Sequence, residues 1–273
     1  MTSRLDPATI VRLEKVATDN GFDRVLPREG EFLAFSSTRA PLRLWLSTFG
    51  DALYLAALSQ AHVAEALGDH GTPLAAPLPP GAAVGRSVTT IPALHHLVRR
   101  AFQLSRSLPD AILHTFETQT AALPRSTEAE RLVVERVGQD LFRERLLDYW
   151  EGRCAVTGLA VRDLLRASHI KPWADCASDA ERLDVFNGLL LAPHLDAAFD
   201  RGFITVGDDG AVILSSALSE DDRRLLALDQ PLRVRTLDAR HRAYLPWHRE
   251  KVFRPATGCS NNLGGASHER RRR

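Results

Sequence analysis

The chain has 273 residues, of which 44% are hydrophobic and 25% charged, and its formal net charge is +1. These are globular values, enough for one large domain or two ordinary ones. No apolar run reaches the length of a membrane span, and Met1 to Pro7 lacks the apolar stretch of a secretory signal. Three cysteines, Cys154, Cys176 and Cys259, cannot build a paired framework, so a reduced, cytoplasmic setting is the expectation.

In chain order, Asp6-Pro7 opens a helix whose apolar stripe is Ile10, Leu13, Val16 and Ala17, closed by Asn20-Gly21. Strands are expected over residues 31–35, 42–46 and 52–58, and a helix over 60–67. Residues 72–85, rich in Pro, Ala and Gly, read as a loop. Residues 92–106 and 109–123 read as two helices, each with a proline in its first turn. Leu123-Pro124-Arg125-Ser126 is the best boundary, and Thr127-x-x-Glu130 is a capping box for a helix running to about Trp150.

Beyond it, short strands and turns are expected up to Ile170 and an extended loop from Lys171 to Asp179. A strand over 187–191, a short helix over 194–199, a hairpin over 203–206 and 211–214, and a helix over 219–228 complete the reading. The polar stretch from Gly258 to Arg273 reads as a disordered basic tail. Domains are therefore expected at 1–124 and 127–255, with a tail at 256–273.

Charge is unevenly placed. Residues 1–125 carry 12 basic and 11 acidic side chains, whereas residues 126–255 carry 19 and 22. An acidic excess in the second half is what a carboxylate metal site would demand. All but three of the 35 Lys and Arg residues are arginines, which suit bidentate phosphate contacts, although codon bias accounts for the skew equally well.

The chemistry-bearing stretch begins at Cys154-Ala155-Val156-Thr157-Gly158. It continues through Ala167-Ser168-His169-Ile170-Lys171-Pro172-Trp173, Arg182-Leu183-Asp184 and Asn187-Gly188-Leu189-Leu190-Leu191, and ends at Phe199-Asp200-Arg201-Gly202. Asp196 and Asp200 are spaced i,i+4, so both carboxylates leave one helical face. Such a pair is tolerated in solvent, or wanted where a divalent cation bridges it. A histidine facing that cation would be placed to deprotonate a water aimed at phosphorus. Spacing alone favours a solvated acidic helix beside a hydrogen-bonded, partly buried histidine.

These motifs, in this order, resemble the HNH nucleases. The likeness is to the branch with a Cys-x-x-Thr-Gly opening, an Ala-Ser-His-Ile-x-Pro-Trp strand and an Asn-Gly-Leu-x-Leu strand. It runs from Val137 to Phe253, with Val137-Gly138-Gln139-Asp140-Leu141-Phe142-Arg143 and Trp247 to Phe253 as flanks. The resemblance implies an α+β protein in which a small N-terminal α/β recognition domain precedes a ββα-metal nuclease domain. It implies His169 as general base and Asn187 as the central, mainly structural asparagine bracing the loop. Asp196 and Asp200 are the implied metal ligands, with His194 as an alternative.

Hard oxygen donors favour Mg²⁺ or Mn²⁺ over Zn²⁺ or Ni²⁺. Ser168 departs from the family, which often has Asp or His before the base, and the lack of paired Cys-x-x-Cys motifs argues against structural zinc. Arg182 and Asp184 are expected to fix the loop, and Trp173 to plug the core.

The implied partner is double-stranded DNA, plain or modified, with a homodimer as one way to cut both strands and no membrane. His95, His96, Arg99 and Arg100 along one helix offer a phosphate-tracking face, and Arg201 a further phosphate contact; Arg270 to Arg273 would add nonspecific attraction. An apolar pocket near Pro27, Phe32, Phe35 and Trp45 would let the first domain read a modified base or a phosphorothioate backbone. The function expected is restriction of foreign or modified DNA. A toxin or mobile-element nuclease with a protein-binding first domain is the alternative, as is a decayed DNA-binding protein.

Overall fold

The computed structural model describes residues 5–50, 53–74 and 77–255, so the C-terminal tail, with Cys259 and Arg270 to Arg273, lies outside the described residues. Helix α1 (Pro7–Asp19) starts where the Asp6 carboxylate accepts from the backbone N–H of Ala8 and Thr9. An antiparallel sheet follows, of β1 (Arg24–Glu29), β2 (Phe32–Ser36), β3 (Leu44–Phe49), β4 (Leu53–Leu58), β5 (Thr72–Pro73) and β6 (Val84–Val88), in the order β1-β2-β3-β4-β6-β5. Helix α2 (Ala61–Ala66) lies between β4 and β5.

The three expected strands are therefore joined by three more. The supposed loop at 72–85 contains β5 and the start of β6: Val84 to Val88 pair with Leu58 to Tyr54, hydrogen bonds that composition does not register. Pairing also separates the aromatic residues of the expected pocket. Phe35 lies opposite Leu44 and Ala34 opposite Trp45, so Phe35 enters the main core while Trp45 packs with Ala34 and Ala57 on the other face. One shared pocket cannot be lined by both.

Helix α3 (Ile91–Ser107) covers the sheet, and α4 (Pro109–Thr120) follows it. Helix α5 (Glu128–Tyr149) opens with the expected capping box, Thr127 with Glu130. Its buried residues Val134, Leu141, Phe142, Leu146 and Tyr149 recur at helical spacing, and it packs against α3, α4 and the C-terminal half at once. One apolar core consequently runs from Leu5 to Leu245 across the Leu123–Ser126 boundary.

In the second half, turns rather than strands occupy 151–161. A hairpin of β7 (Arg166–His169) and β8 (Gly188–Leu191) pairs antiparallel, with His169 opposite Gly188. Between its strands lie α6 (Asp179–Leu183) and a 3₁₀ turn, Val185–Asn187. Asn187 thus ends a turn instead of beginning a strand. Helix α7 (Pro193–Asp200) follows β8, then the small hairpin β9 (Ile204–Val206) and β10 (Val212–Leu214), α8 (Glu220–Leu225) and α9 (Leu245–Lys251). The class is α+β, and no described helix is long and apolar enough to cross a membrane.

Candidate active site

The β7–β8 hairpin and α7 form a ββα unit, with α7 packed on β7. Alternation along β7 sends Arg166 and Ser168 to one face and Ala167 and His169 to the other. The Ser168 hydroxyl donates to Asp200 at 3.0 Å. Burial raises the pKa of both Asp196 and Asp200; in Asp196 the neighbouring Asp200 charge raises it further, while Ser168 and Arg166 pull it back. Two carboxylates and a hydroxyl thus converge from a strand and a helix. Arg166, which sequence reading passed over, stands exposed two residues from Ser168 on the same face; the period-two rule alone points to it.

His169 is held from three sides. Its Nε2 donates to the Arg182 carbonyl at 2.8 Å. Its ring stacks on Phe142 with centroids 3.9 Å apart and meets the edge of Trp173 at 5.8 Å. A carbonyl only accepts, so Nε2 carries the hydrogen and the neutral ring keeps its lone pair on Nδ1. Burial holds the imidazole below its ordinary pKa, partly offset by the Arg182 hydrogen bond. Phe142 reaches the ring because Gly188 has no side chain: a Cβ there would meet Phe142 at 2.5 Å.

The loop between the strands is tied to fully buried Asn187. The Asn187 Oδ1 accepts from the Lys171 amide at 2.8 Å, and Nδ2 donates to the carbonyls of Lys171 and Glu181 and towards the Cys176 sulfur. Arg182 donates to the carbonyls of Trp173 and Cys176 and to Asp179. Asp184 accepts from the Phe186 amide and the Tyr244 hydroxyl. Cys154 is buried, and its sulfur accepts from the amides of Thr157 and Ala192, which joins the turn before β7 to the start of α7.

Ser168, His169 and Asp200 share a cleft of ≈ 350 Å³ with Trp173 and His248. His248, on α9, stacks on Phe199 at 3.7 Å between centroids, and its Nε2 donates to the Phe199 carbonyl at 3.1 Å. The last turn of α7, and Asp200 with it, is thereby fastened from outside the ββα unit.

Residues 154–207 match the HNH_2 family model, described as HNH endonuclease. This is an HNH endonuclease domain. No curated protein matches the chain. The HNH match covers the ββα unit and begins at Cys154, while Phe142 and His248, which pin its histidine and its helix, lie outside it. Nuclease chemistry follows from the HNH domain, as does a nucleic acid as substrate.

HNH nucleases generally act with a divalent metal ion. Asp196, Asp200 and Ser168 fit one, since all are oxygen donors and the two neighbouring carboxylates repel each other. No group of three or more His, Cys, Asp or Glu side chains gathers among the described residues. His194 stands exposed on the first turn of α7 and does not join them, because two residues along a helix turn a side chain by about 200°.

The expected phosphate-tracking row on α3 is largely engaged elsewhere. Arg100 donates to the carbonyls of Tyr149 and Asp148 at the end of α5, at 2.7 and 3.3 Å. Arg99 donates to Asn20, which also pairs with His95. His96 lies 3.6 Å from Glu151. The orphan carbonyls at the end of a 22-residue helix attract Arg100. Arg201, at the end of α7, is exposed and has no ion pair among the described residues.

Proposed function

We propose that the chain is a metal-dependent DNA endonuclease that hydrolyses phosphodiester bonds and serves to restrict foreign or modified DNA. The observation that carries the reading is the meeting of Ser168, Asp196 and Asp200 on one face of the ββα unit, with a neutral, immobilised His169 in the adjoining cleft.

Asp196 and Asp200 would hold a hard divalent cation, Mg²⁺ or Mn²⁺. The ion, when bound, stabilises the charge that develops on the phosphate and the leaving oxygen. His169 accepts the proton of the attacking water at Nδ1, and its imidazolium is oriented by the Nε2 hydrogen bond to Arg182. Phe142 and Trp173 keep the ring from turning. Asn187 acts at one remove, holding the Lys171–Glu181 loop whose far end presents the Arg182 carbonyl. Arg166, near Asp196, and Arg201, near Asp200, are exposed and take the backbone phosphates.

The restriction reading draws on the N-terminal half. It contributes no residue to the cleft beside Asp200, yet shares one core with the nuclease half. A module built in so firmly suits selection of the DNA, by a modified base or a phosphorothioate backbone. The test is cleavage of matched duplexes, unmodified and modified, by the full chain with Mn²⁺. Cutting that depends on modification supports the reading; equal cutting of both leaves a nuclease without that selectivity.

A further inference from the structure

A second cleft lies apart from the one beside His169. It measures ≈ 640 Å³, and the two clefts share no lining residue. It opens along the seam between the halves of the chain. His70, from the turn after α2, and His96 and Arg100, from α3, line one side; Arg153 and Arg235, from the nuclease half, line the other. The nuclease half is net acidic, so two of its arginines meeting Arg100 in one cavity runs against the local charge balance. The carboxylates in the lining are Asp69 and Glu151.

Arg235 and the two histidines are packed into the cleft wall. Gly158 has φ +74°, and a Cβ there would meet the Arg235 guanidinium at 2.6 Å, so the glycine that ends the Cys-x-x-Thr-Gly motif is also the seat of Arg235. The Arg235 amide donates to the Ala155 carbonyl at 2.8 Å, which fixes its backbone beside Arg153. The rings of His70 and His96 stack at 4.9 Å. Arg153 and Arg235 are exposed, and neither side chain has a hydrogen bond or ion pair among the described residues.

Glu151 breaks two local rules to stand here. It follows α5 in the left-handed region, φ 54°, where glycine is the usual resident, and it puts a negative charge at the negative end of a long helix. Its carboxylate lies 3.6 Å from His96 and 3.8 Å from Arg100. Glu151 therefore balances the N-terminal corner of the cleft and leaves the Arg153–Arg235 corner free. Local rules are broken this way where a site demands it.

We propose that this seam cleft binds a phosphate-bearing ligand, gripped by Arg153 and Arg235 and bridging the two halves of the chain. The volume accommodates a phosphate with its sugar and base, so the source is either a nucleic-acid backbone or a free nucleotide. The site goes beyond the nuclease reading, and metal-free binding tests it independently of cleavage.

The full chain, in EDTA, is titrated with a 20-base-pair duplex by anisotropy and with AMP by calorimetry. For the R153A/R235A variant, which removes two exposed side chains that make no hydrogen bond or ion pair among the described residues, we expect at least tenfold weaker binding of one probe. For Glu151→Gln we expect tighter binding of that same probe, through loss of a like charge. Weakened duplex binding, with a salt slope lowered by about 2, assigns the backbone as ligand; weakened AMP binding with the duplex unaffected assigns a nucleotide. Affinities for both probes unchanged in R153A/R235A, or no binding of either probe by the wild-type chain, overturn the proposal.

Discussion

Phe142 and His169 lie ring on ring, 3.9 Å between centroids and 17° from parallel, although 27 residues of chain separate them and they come from a helix and a strand. The contact exists because Gly188, opposite His169 in the ladder, leaves the space that Phe142 fills. It ties the orientation of the imidazole to the packing of α5. Phe142→Leu keeps an apolar group there but removes the flat face. We expect a fall in kcat of roughly tenfold with KM little changed, as for a positioning residue. Gly188→Ala would drive a methyl into the ring and into Leu146, destabilising the chain by about 1–3 kcal/mol in urea denaturation. A Gly188→Ala variant as stable as wild type would contradict this account of the packing.

His169→Ala should abolish strand cleavage while leaving DNA binding near wild type, since general-base catalysis contributes typically 10²–10⁴-fold. Plasmid nicking and a metal-free gel shift measure the two separately. Retention of more than about a tenth of the wild-type rate would remove His169 from the role.

Asp196 and Asp200 face one another and Ser168, whereas His194 stands alone in solvent. Asp196→Ala should weaken Mn²⁺ binding and cleavage together, and His194→Ala should do less of both. Calorimetric Mn²⁺ titration of each variant decides it. Greater damage from His194→Ala, or highest activity with Zn²⁺ or Ni²⁺, would place the ligand set two residues away.

Stability should fall in mild acid. His241 is buried among the rings of Tyr149, Trp150 and Phe186, and burial pushes its pKa down to about 4; His248 is pushed down to about 4 as well. An unfolded chain takes up these protons near pH 6.5, while the folded chain refuses them until about pH 4. Their contribution is therefore complete above pH 6.5 and is lost as pH falls from 6.5 towards 4. Each can account for up to about 3 kcal/mol. Carboxylates held above their ordinary pKa, such as Asp148 and Asp184, act in the opposite sense, so the measurement is a difference. Urea denaturation at pH 7.5 and 5.0 should show a smaller loss for His241→Gln than for wild type. Equal losses would mean that His241 is not buried neutral.

Near-neighbour chemistry was enough to specify the helix starts and the order of the chemical motifs. Asp6-Pro7, Thr127-x-x-Glu130 and the i,i+4 carboxylates each act within one turn of helix, and near-neighbour rules read them directly. The ββα segment was legible because several separate motifs occur in one order over a short span. Tertiary structure decided what depends on distant partners. Whether Val84–Val88 forms a strand rests on β4, some thirty residues away. Phe35 and Trp45 look alike in sequence and are sent to opposite faces by their register. Arg100 looks like a free cation on a helix until the end of α5 arrives to take its hydrogens. Burial and hydrogen bonding are properties of approach across the chain, and a local reading contains no measure of approach.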